Sequence, residues 1–373
     1  MKNFLILILL LFLQPIIAQN SANSLSKNFA VDFGTSFSSI PKIAFHELTP
    51  VEQNLEKDVK NLLLVENIDL EKVVDSDDFS SLLLKAQMEE LNRATPFEVT
   101  HNATTERFIR VYLKDRKEYL SRLAGKSIYY FPIFEQYLDA YDLPLELKYL
   151  AAVESALNPI AVSQSGAKGL WQFMFGTGQQ YNLYINSYVD ERYDPVKSTK
   201  AACAYLKDLY NTFGDWDLAL AAYNSGPGNV RKAIKRAGGE TNYWQIREFL
   251  PKETSSYVPA FYATMYLFSH AEYHGIKPLK GELHYFETDT VHLKRSLTFS
   301  HINKVAGINM EVLKSFNPVY KKDLIPALGN RAMSLTLPIS SLQQFLDVEE
   351  ELYREPTTNE NKIIARLLIE SSS

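Results

Sequence analysis

The stretch Leu147-Lys148-Tyr149-Leu150-Ala151-Ala152-Val153-Glu154-Ser155-Ala156-Leu157-Asn158-Pro159 places one carboxylate in an otherwise apolar, helix-compatible segment. The residue before a proline avoids helical geometry, so Pro159 is expected to end the helix and leave Glu154 near its last turn. Apolar surroundings disfavour the charged form of a carboxyl and raise its pKa. A carboxyl kept neutral near neutral pH serves as a general acid. Read alone, the segment suits a structural glutamate that caps a neighbouring loop at least as well.

Four segments downstream change that balance. Ser163-Gln164-Ser165-Gly166-Ala167-Lys168-Gly169-Leu170-Trp171-Gln172-Phe173-Met174 has two glycines, which let a backbone turn tightly and approach a ligand. Gln172 in it offers both a donor and an acceptor, as sugar hydroxyls and acetamides require. Asp190-Glu191-Arg192-Tyr193-Asp194-Pro195 follows, then Ala221-Ala222-Tyr223-Asn224-Ser225-Gly226-Pro227-Gly228-Asn229-Val230, then Pro251-Lys252-Glu253-Thr254-Ser255-Ser256-Tyr257-Val258-Pro259. Five segments in this order and spacing resemble the family 1 lytic transglycosylases of lysozyme-like, soluble-transglycosylase fold, and among them the membrane-bound murein transglycosylase D type. Five ordered motifs are specific where any single one is weak.

The resemblance spans roughly residues 97 to 275 and implies a mainly α protein with an all-helical catalytic domain. It implies that Glu154 is the catalytic acid and base. Ser163, Gln172, Tyr223, Glu253 and Tyr257 match cleft residues that bind sugar or support the glutamate. Met174 matches a residue lining the cleft, and Asn224 joins the same substrate-binding set. Tyr257 and Met174 would also suit plain core positions, and Glu253 a helix cap. Phe175 stands where many relatives have proline, and Asn182 where glycine is common; asparagine tolerates left-handed backbone better than most residues. No cofactor and no metal is called for. The implied reaction uses one acid, where most glycosidases use two carboxylates. Its product is a 1,6-anhydromuramoyl end, made from peptidoglycan glycan strands without consuming water. A lysozyme-like hydrolase, a chitin-cleaving enzyme and a catalytically idle wall-binding scaffold are the competing readings.

Helical patterning starts near Asn102. Helices are expected from Thr105, over Tyr129–Leu138, Pro144–Leu157, Ser198–Tyr210, Asp215–Tyr223, Asn229–Ala237 and Ser256–Phe268, with no strand-like alternation between 105 and 275. Near residue 280 the pattern changes. Short strands are expected at 284–286, 290–293 and 335–338, and helices over Phe299–Ala306 and Met310–Phe316, with a turn at Asn317-Pro318. This β-α-α-β string resembles a degenerate LysM module. The Gly-Asp usual before its first helix is missing, so a packing role stands beside glycan binding.

The resulting division is a secretory signal over 1–18, a tether and helical segment over 19–96, the catalytic domain over 97–278, the LysM-like module over 282–345 and a charged tail over 346–373. The signal reading rests on Met1-Lys2-Asn3, the apolar run Phe4–Leu13 and Ala18 as the last leader residue. It implies export to the periplasm or cell envelope, with peripheral association there. A formal net charge of −5 without a basic patch excludes nucleic acid as a partner. Cys203, the only cysteine, lies in an apolar helical stretch and reads as an inert buried thiol. His270 and His274 have the spacing of a helical pair but lack the glutamate of a metalloprotease motif, and read as a chance pair on a solvated helix.

Overall fold

The computed structural model describes residues 80–279, 285–326, 331, 333–354 and 365. The leader, the tether and most of the N-terminal helical segment lie outside them. Ten helices form the larger lobe among the described residues: α1 (Ser81–Ala94), α2 (Ala103–Asp115), α3 (Lys117–Ala140), α4 (Lys148–Ser155), α5 (Phe175–Gln180), α6 (Pro195–Phe213), α7 (Trp216–Ser225), α8 (Pro227–Arg236), α9 (Tyr243–Ile246) and α10 (Lys252–Ser269).

Helix α10 is the axis of this lobe. Every residue from Thr254 to Leu267 is buried. A helix apolar on all sides belongs inside a core, because each face needs a covering partner. The partners are α2, α4 and α7, while α7 packs in turn on α6 and α8. Helix α1, at the end of the helical segment expected within 19–96, is part of the same core, through Leu84, Met88 and Leu91.

Pro259 lies inside α10 and donates no hydrogen bond, which frees the carbonyl four residues before it. That carbonyl, Ser255 O, accepts instead from Tyr243 Oη at 2.9 Å and Arg247 Nε at 2.5 Å. The central helix thus continues through its proline because α9 and the turn after it supply the missing donors.

Several helix ends differ from expectation for local reasons. Helix α3 runs from Lys117 through an internal Pro132, well before Tyr129. Helix α6 starts at Pro195, not Ser198. Asp194 accepts from the amides of Val196 and Lys197, and proline suits the first helical position. Ser198 and Thr199 instead turn their hydroxyls onto Asp194 O and Pro195 O. Helices α8 and α10 likewise begin earlier than expected, at Pro227 and Lys252. Helix α4 ends at Ser155, four residues before Pro159, where Ala156 (φ 53°) and Leu157 (φ 55°) turn left-handed. Asn182 is also left-handed, at φ 64°. Cys203 is fully buried in α6, and burial pushes its thiol up to about 12.

The smaller lobe contains β1 (Thr288–His292), β2 (Leu297–Thr298), α11 (Phe299–Ala306), α12 (Met310–Phe316), β3 (Leu324–Ile325), β4 (Ser334–Pro338), α13 (Ile339–Asp347) and α14 (Glu349–Leu352). Strands β1 and β4 pair antiparallel from Thr288↔Pro338 to His292↔Ser334, and β2 pairs with β3. Residues 285–287 form a turn, not the start of a strand. Both expected helices have the expected bounds. Asn317 fixes the turn after them: its Nδ2 donates to Leu313 O and Thr336 O, and its Oδ1 accepts from the Thr336 amide. Phe345 and Leu352 are fully buried in this lobe's core, so the packed part extends into what the charge pattern reads as tail.

Between α4 and α5 the chain makes a bridged loop, with pairs Val162↔Lys168 and Lys168↔Phe173. Gly169 lies at φ +79°, and a Cβ there would stand 1.9 Å from Arg192 O. Gly166 has a similar φ of +84° but open space around it. Gly169→Ala is therefore expected to cost more than about 3 kcal/mol or to prevent folding. Gly166→Ala is expected to cost only about 1 kcal/mol. Urea unfolding of the two variants separates clash from backbone strain, and equal losses would remove the close approach from the account.

Asp217, buried in the first turn of α7, accepts a hydrogen bond from Tyr262 Oη of α10. Burial pushes its pKa up to about 7; the Tyr262 hydrogen bond opposes this, and Asp215 and Glu98 add to it. An unfolded aspartate titrates near about 3.9, so across the interval up to 7 the folded chain holds a proton that the unfolded chain has lost. Stability therefore falls as pH rises through that window and levels off above it. Asp217→Asn is expected to flatten this dependence and to be more stable than wild type at pH 8 by on the order of 2 kcal/mol. Parallel stability curves for the two proteins between pH 4 and 8 would exclude the effect.

Candidate active site

Glu154 lies in the last turn of α4 and is, as a residue, between buried and exposed. Tyr257 of α10, itself buried, donates its hydroxyl to Glu154 Oε1. Burial, reinforced by the neighbouring Glu154, holds the phenols of Tyr257 and Tyr223 well above their ordinary pKa. Both therefore remain protonated and able to donate. Tyr223, on α7, donates to Trp171 O at 2.8 Å.

The end of α4 is tied to the bridged loop by Ser155. Its Oγ lies 3.0 Å from Ala151 O and 2.9 Å from Leu170 O. Trp171, fully buried, donates its indole N–H to Thr199 Oγ1 at 2.9 Å. The loop carries Ser163, Gln172 and Met174. Ser163 Oγ accepts from the Ala167 amide at 2.9 Å, which closes the turn through Gly166. Gln172 is left-handed, at φ 48°, and its Nε2 donates to Gly169 O at 2.9 Å and Ala161 O at 3.3 Å. Met174 caps α5 and is exposed, as are Ile160, Val162 and Phe175. The hydrogen bonds of Ser163 and Gln172 thus shape the loop, while Met174 is no core residue.

Asn224 and Glu253 form a second group. Asn224 Nδ2 donates to Glu253 Oε1 at 3.4 Å, and Thr254 Oγ1 donates to Asn224 Oδ1 at 2.8 Å. Glu253 is exposed in the first turn of α10, where a carboxylate suits the helix dipole. It lies close enough to Tyr257 to add to the elevation of that phenol's pKa.

The Asp190-Glu191-Arg192 motif takes a role that its sequence does not reveal. All three residues are buried. Arg192 donates Nε and Nη2 to the two oxygens of Asp190, at 2.9 and 2.8 Å. Its Nη1 reaches Gly166 O and Phe173 O, each at 3.3 Å. A fork-shaped guanidinium is suited to such a clamp. The pairing with Arg192, against the effect of burial, holds the Asp190 carboxyl below its usual value.

Elsewhere, α10 ends at Ser269, so His270 and His274 stand in a turn, not on a solvated helix. His274 Nε2 and Tyr266 Oη are 2.9 Å apart, and burial, with His270 and Lys117 nearby, pushes this imidazole down to about 4. Among the described residues no group of three or more His, Cys, Asp or Glu is placed to hold a metal ion. No described helix is long and apolar enough to cross a membrane.

Residues 132–246 match the transglycosylase SLT domain, and residues 287–354 match the LysM-like domain of lytic transglycosylase MltD. The SLT match contains Glu154, Ser163, Gln172, Met174, Tyr223 and Asn224; Glu253 and Tyr257 lie beyond it. The membrane-bound lytic murein transglycosylase D of Escherichia coli (strain K12) is 37% identical over 193 residues, which are 50% of this chain and 42% of that protein. The membrane-bound lytic murein transglycosylase F of Maricaulis maris (strain MCS10) is 32% identical over 166 residues, 40% of this chain and 34% of that one. The chain spans less than half the length of these curated relatives. The solved 70 kDa soluble lytic transglycosylase of Escherichia coli superposes with a TM-score of 0.36 at 20% identity, over 63% of this chain and 46% of that one. The chain carries a transglycosylase SLT domain and, behind it, a LysM-like domain of the MltD type.

Proposed function

We propose that the chain is a peptidoglycan lytic transglycosylase that cleaves the β-1,4 bond between N-acetylmuramic acid and N-acetylglucosamine. The observation that carries this reading is the half-buried Glu154 held by the hydroxyl of Tyr257, inside a matched SLT domain. Glu154 protonates the glycosidic oxygen as the bond from the muramoyl C1 breaks. The acetamide oxygen of the same sugar stabilises the electron-poor C1. Glu154, now a carboxylate, takes the proton of the C6 hydroxyl, and O6 bonds to C1. The proton given is recovered and no water is consumed. Donation from Tyr257 stabilises the carboxylate between these two steps. Ser163, Gln172, Met174, Tyr223 and Asn224 form the sugar-binding surface, and Glu253 supports it through Asn224.

A lysozyme-like hydrolase is the second reading, and the exposed Glu253 favours it as a second carboxylate on the Tyr257 side. The site of action is the cell envelope outside the inner membrane, reached through the leader read over 1–18. The relatives' names and the LysM-like domain support a wall substrate.

Mass spectrometry of products released from purified peptidoglycan tests the proposal. Wild type is expected to release 1,6-anhydromuramoyl ends, and Glu154→Gln to reduce that release roughly 10²- to 10⁴-fold. Tyr257→Phe is expected to slow it roughly 10- to 100-fold, the loss of one hydrogen bond to a charged group. Reducing ends in place of anhydro ends would move the chain to the hydrolases, and Glu253→Gln would then abolish activity. Binding to sacculi without any release would leave only a scaffold.

A further inference from the structure

The smaller lobe is fastened to the same short segment that clamps the bridged loop between α4 and α5. The Lys321 amide donates to Tyr188 O at 2.8 Å, and the Asp190 amide donates to Val319 O at 3.0 Å. Lys321 Nζ donates to Asn186 O at 2.9 Å. Tyr188 and Val189 are buried in the smaller lobe's core, although they precede Asp190 in the larger lobe's chain. Two residues further on, Arg192 holds Gly166 O and Phe173 O of the loop.

Glu191 lies between these attachments and is only 2% exposed. A buried carboxylate persists only with its oxygens satisfied and its charge matched. Its Oε2 accepts from the Tyr184 amide at 2.7 Å. Its Oε1 accepts from Lys197 Nζ of α6 at 2.8 Å and from Arg331 Nη1 of the smaller lobe at 3.1 Å. The Arg331 guanidinium also lies over the Tyr184 ring, 4.4 Å from its centre. One buried charge is therefore shared by both lobes, directly between the two members of the Asp190–Arg192 pair.

We propose that the C-terminal module is a positioning element of the cleft, and that Arg331 is the residue through which it acts. Arg331 fixes Glu191, the turn at 191–193 fixes the Asp190–Arg192 clamp, and the clamp fixes the loop bearing Ser163, Gln172 and Met174. Arg331 acts through other residues and needs no contact with glycan. A module serving only as a glycan-binding tether would leave the loop indifferent to its docking. The kinetic consequence rests on the transglycosylase reading above; the structural consequence does not.

The test compares Arg331→Glu, Arg331→Ala and Arg331→Lys with wild type, all in the full chain. Arg331 is half exposed, so none of these empties a core position. Hydrogen exchange of the Ala167, Lys168, Gly169 and Phe173 amides, each bonded within the loop, reads the coupling without substrate. In Arg331→Glu these amides are expected to exchange roughly tenfold faster or more, with those of α10 unchanged, and Arg331→Lys is expected to restore protection. On a short soluble glycan, kcat is expected to fall roughly 10- to 100-fold in Arg331→Glu, with KM altered by less than about twofold, and again to recover in Arg331→Lys. Unchanged loop exchange overturns the proposal, as does an unchanged kcat accompanied only by weaker retention on sacculi. A wild-type chain that releases no anhydro ends would sink the reading of its function, and the exchange measurement would still decide the coupling.

Discussion

The site depends on one hydrogen bond, from Tyr257 of α10 to Glu154 of α4, between residues 103 positions apart. It has meaning only if both partners are held by something other than each other. Tyr257 is held because α10 is covered on every side and its rotation is set by the faces it gives to α2, α4 and α7. Glu154 is held because Ser155, beside it, ties the end of α4 to Leu170 O. Small changes in either support would shift a donor that is useful only within hydrogen-bonding distance. The proline inside α10 shows how much the fold invests in this helix. Removing a donor from a buried helix exposes a carbonyl that must find another partner. Tyr243 and Arg247 provide it at Ser255, two residues before Tyr257, and the helix continues past its proline.

The second constraint is charge without water. Asp190, Glu191 and Arg192 are buried in sequence, an arrangement that is costly unless each charge is paired and hydrogen-bonded. Here the pairing does structural work that apolar residues could not do. A guanidinium satisfies a carboxylate with one edge and still reaches two loop carbonyls with the remaining N–H groups. Gly169 makes that approach sterically feasible, because any Cβ would collide with Arg192 O. Loop shape and buried charge are thus linked through the contacts of Arg192 with Gly166 O and Phe173 O.

Much of this was legible in the sequence, and the gaps have physical causes. Helices α11 and α12 match expectation to the residue, since Asn309 and Thr298 cap them and Gly307 closes the first. The start of α6 was misplaced because Ser198 and Thr199 resemble a cap, whereas Asp194-Pro195 is the better one. The end of α4 was misplaced because two non-glycine residues in succession turn left-handed, which local propensity disfavours. Only tertiary burial of Leu157 and the Ser155 tie make that turn tenable. Among the site residues, Tyr257 donates to Glu154 and Asn224 to Glu253, pairings between motifs that no single segment displays. The Asp190–Arg192 clamp was visible as a motif but not as a function, because its partners are backbone carbonyls, which leave no mark on composition. The sharing of Tyr188 and Val189 between lobes was hidden for the same reason.

The structure also shows why a carboxylate in an apolar helix was ambiguous evidence. The pattern occurs twice. Glu154 in α4 and Asp217 in α7 each sit among apolar residues, and each receives the hydroxyl of a tyrosine from α10, Tyr257 and Tyr262 respectively. Five residues apart on one helix, those tyrosines point to different faces, one toward α4 and one toward α7. The two pairs are chemically alike and differ in solvation. Asp217 is closed off by its neighbours, so its proton serves only the balance of stability with pH. Glu154 remains partly exposed, with Tyr257 and Tyr223 beside it. A tyrosine partner is common to both, and partial exposure belongs to Glu154 alone. The distinction lies in what each helix does not cover, which is a property of the assembled lobe and not of either segment.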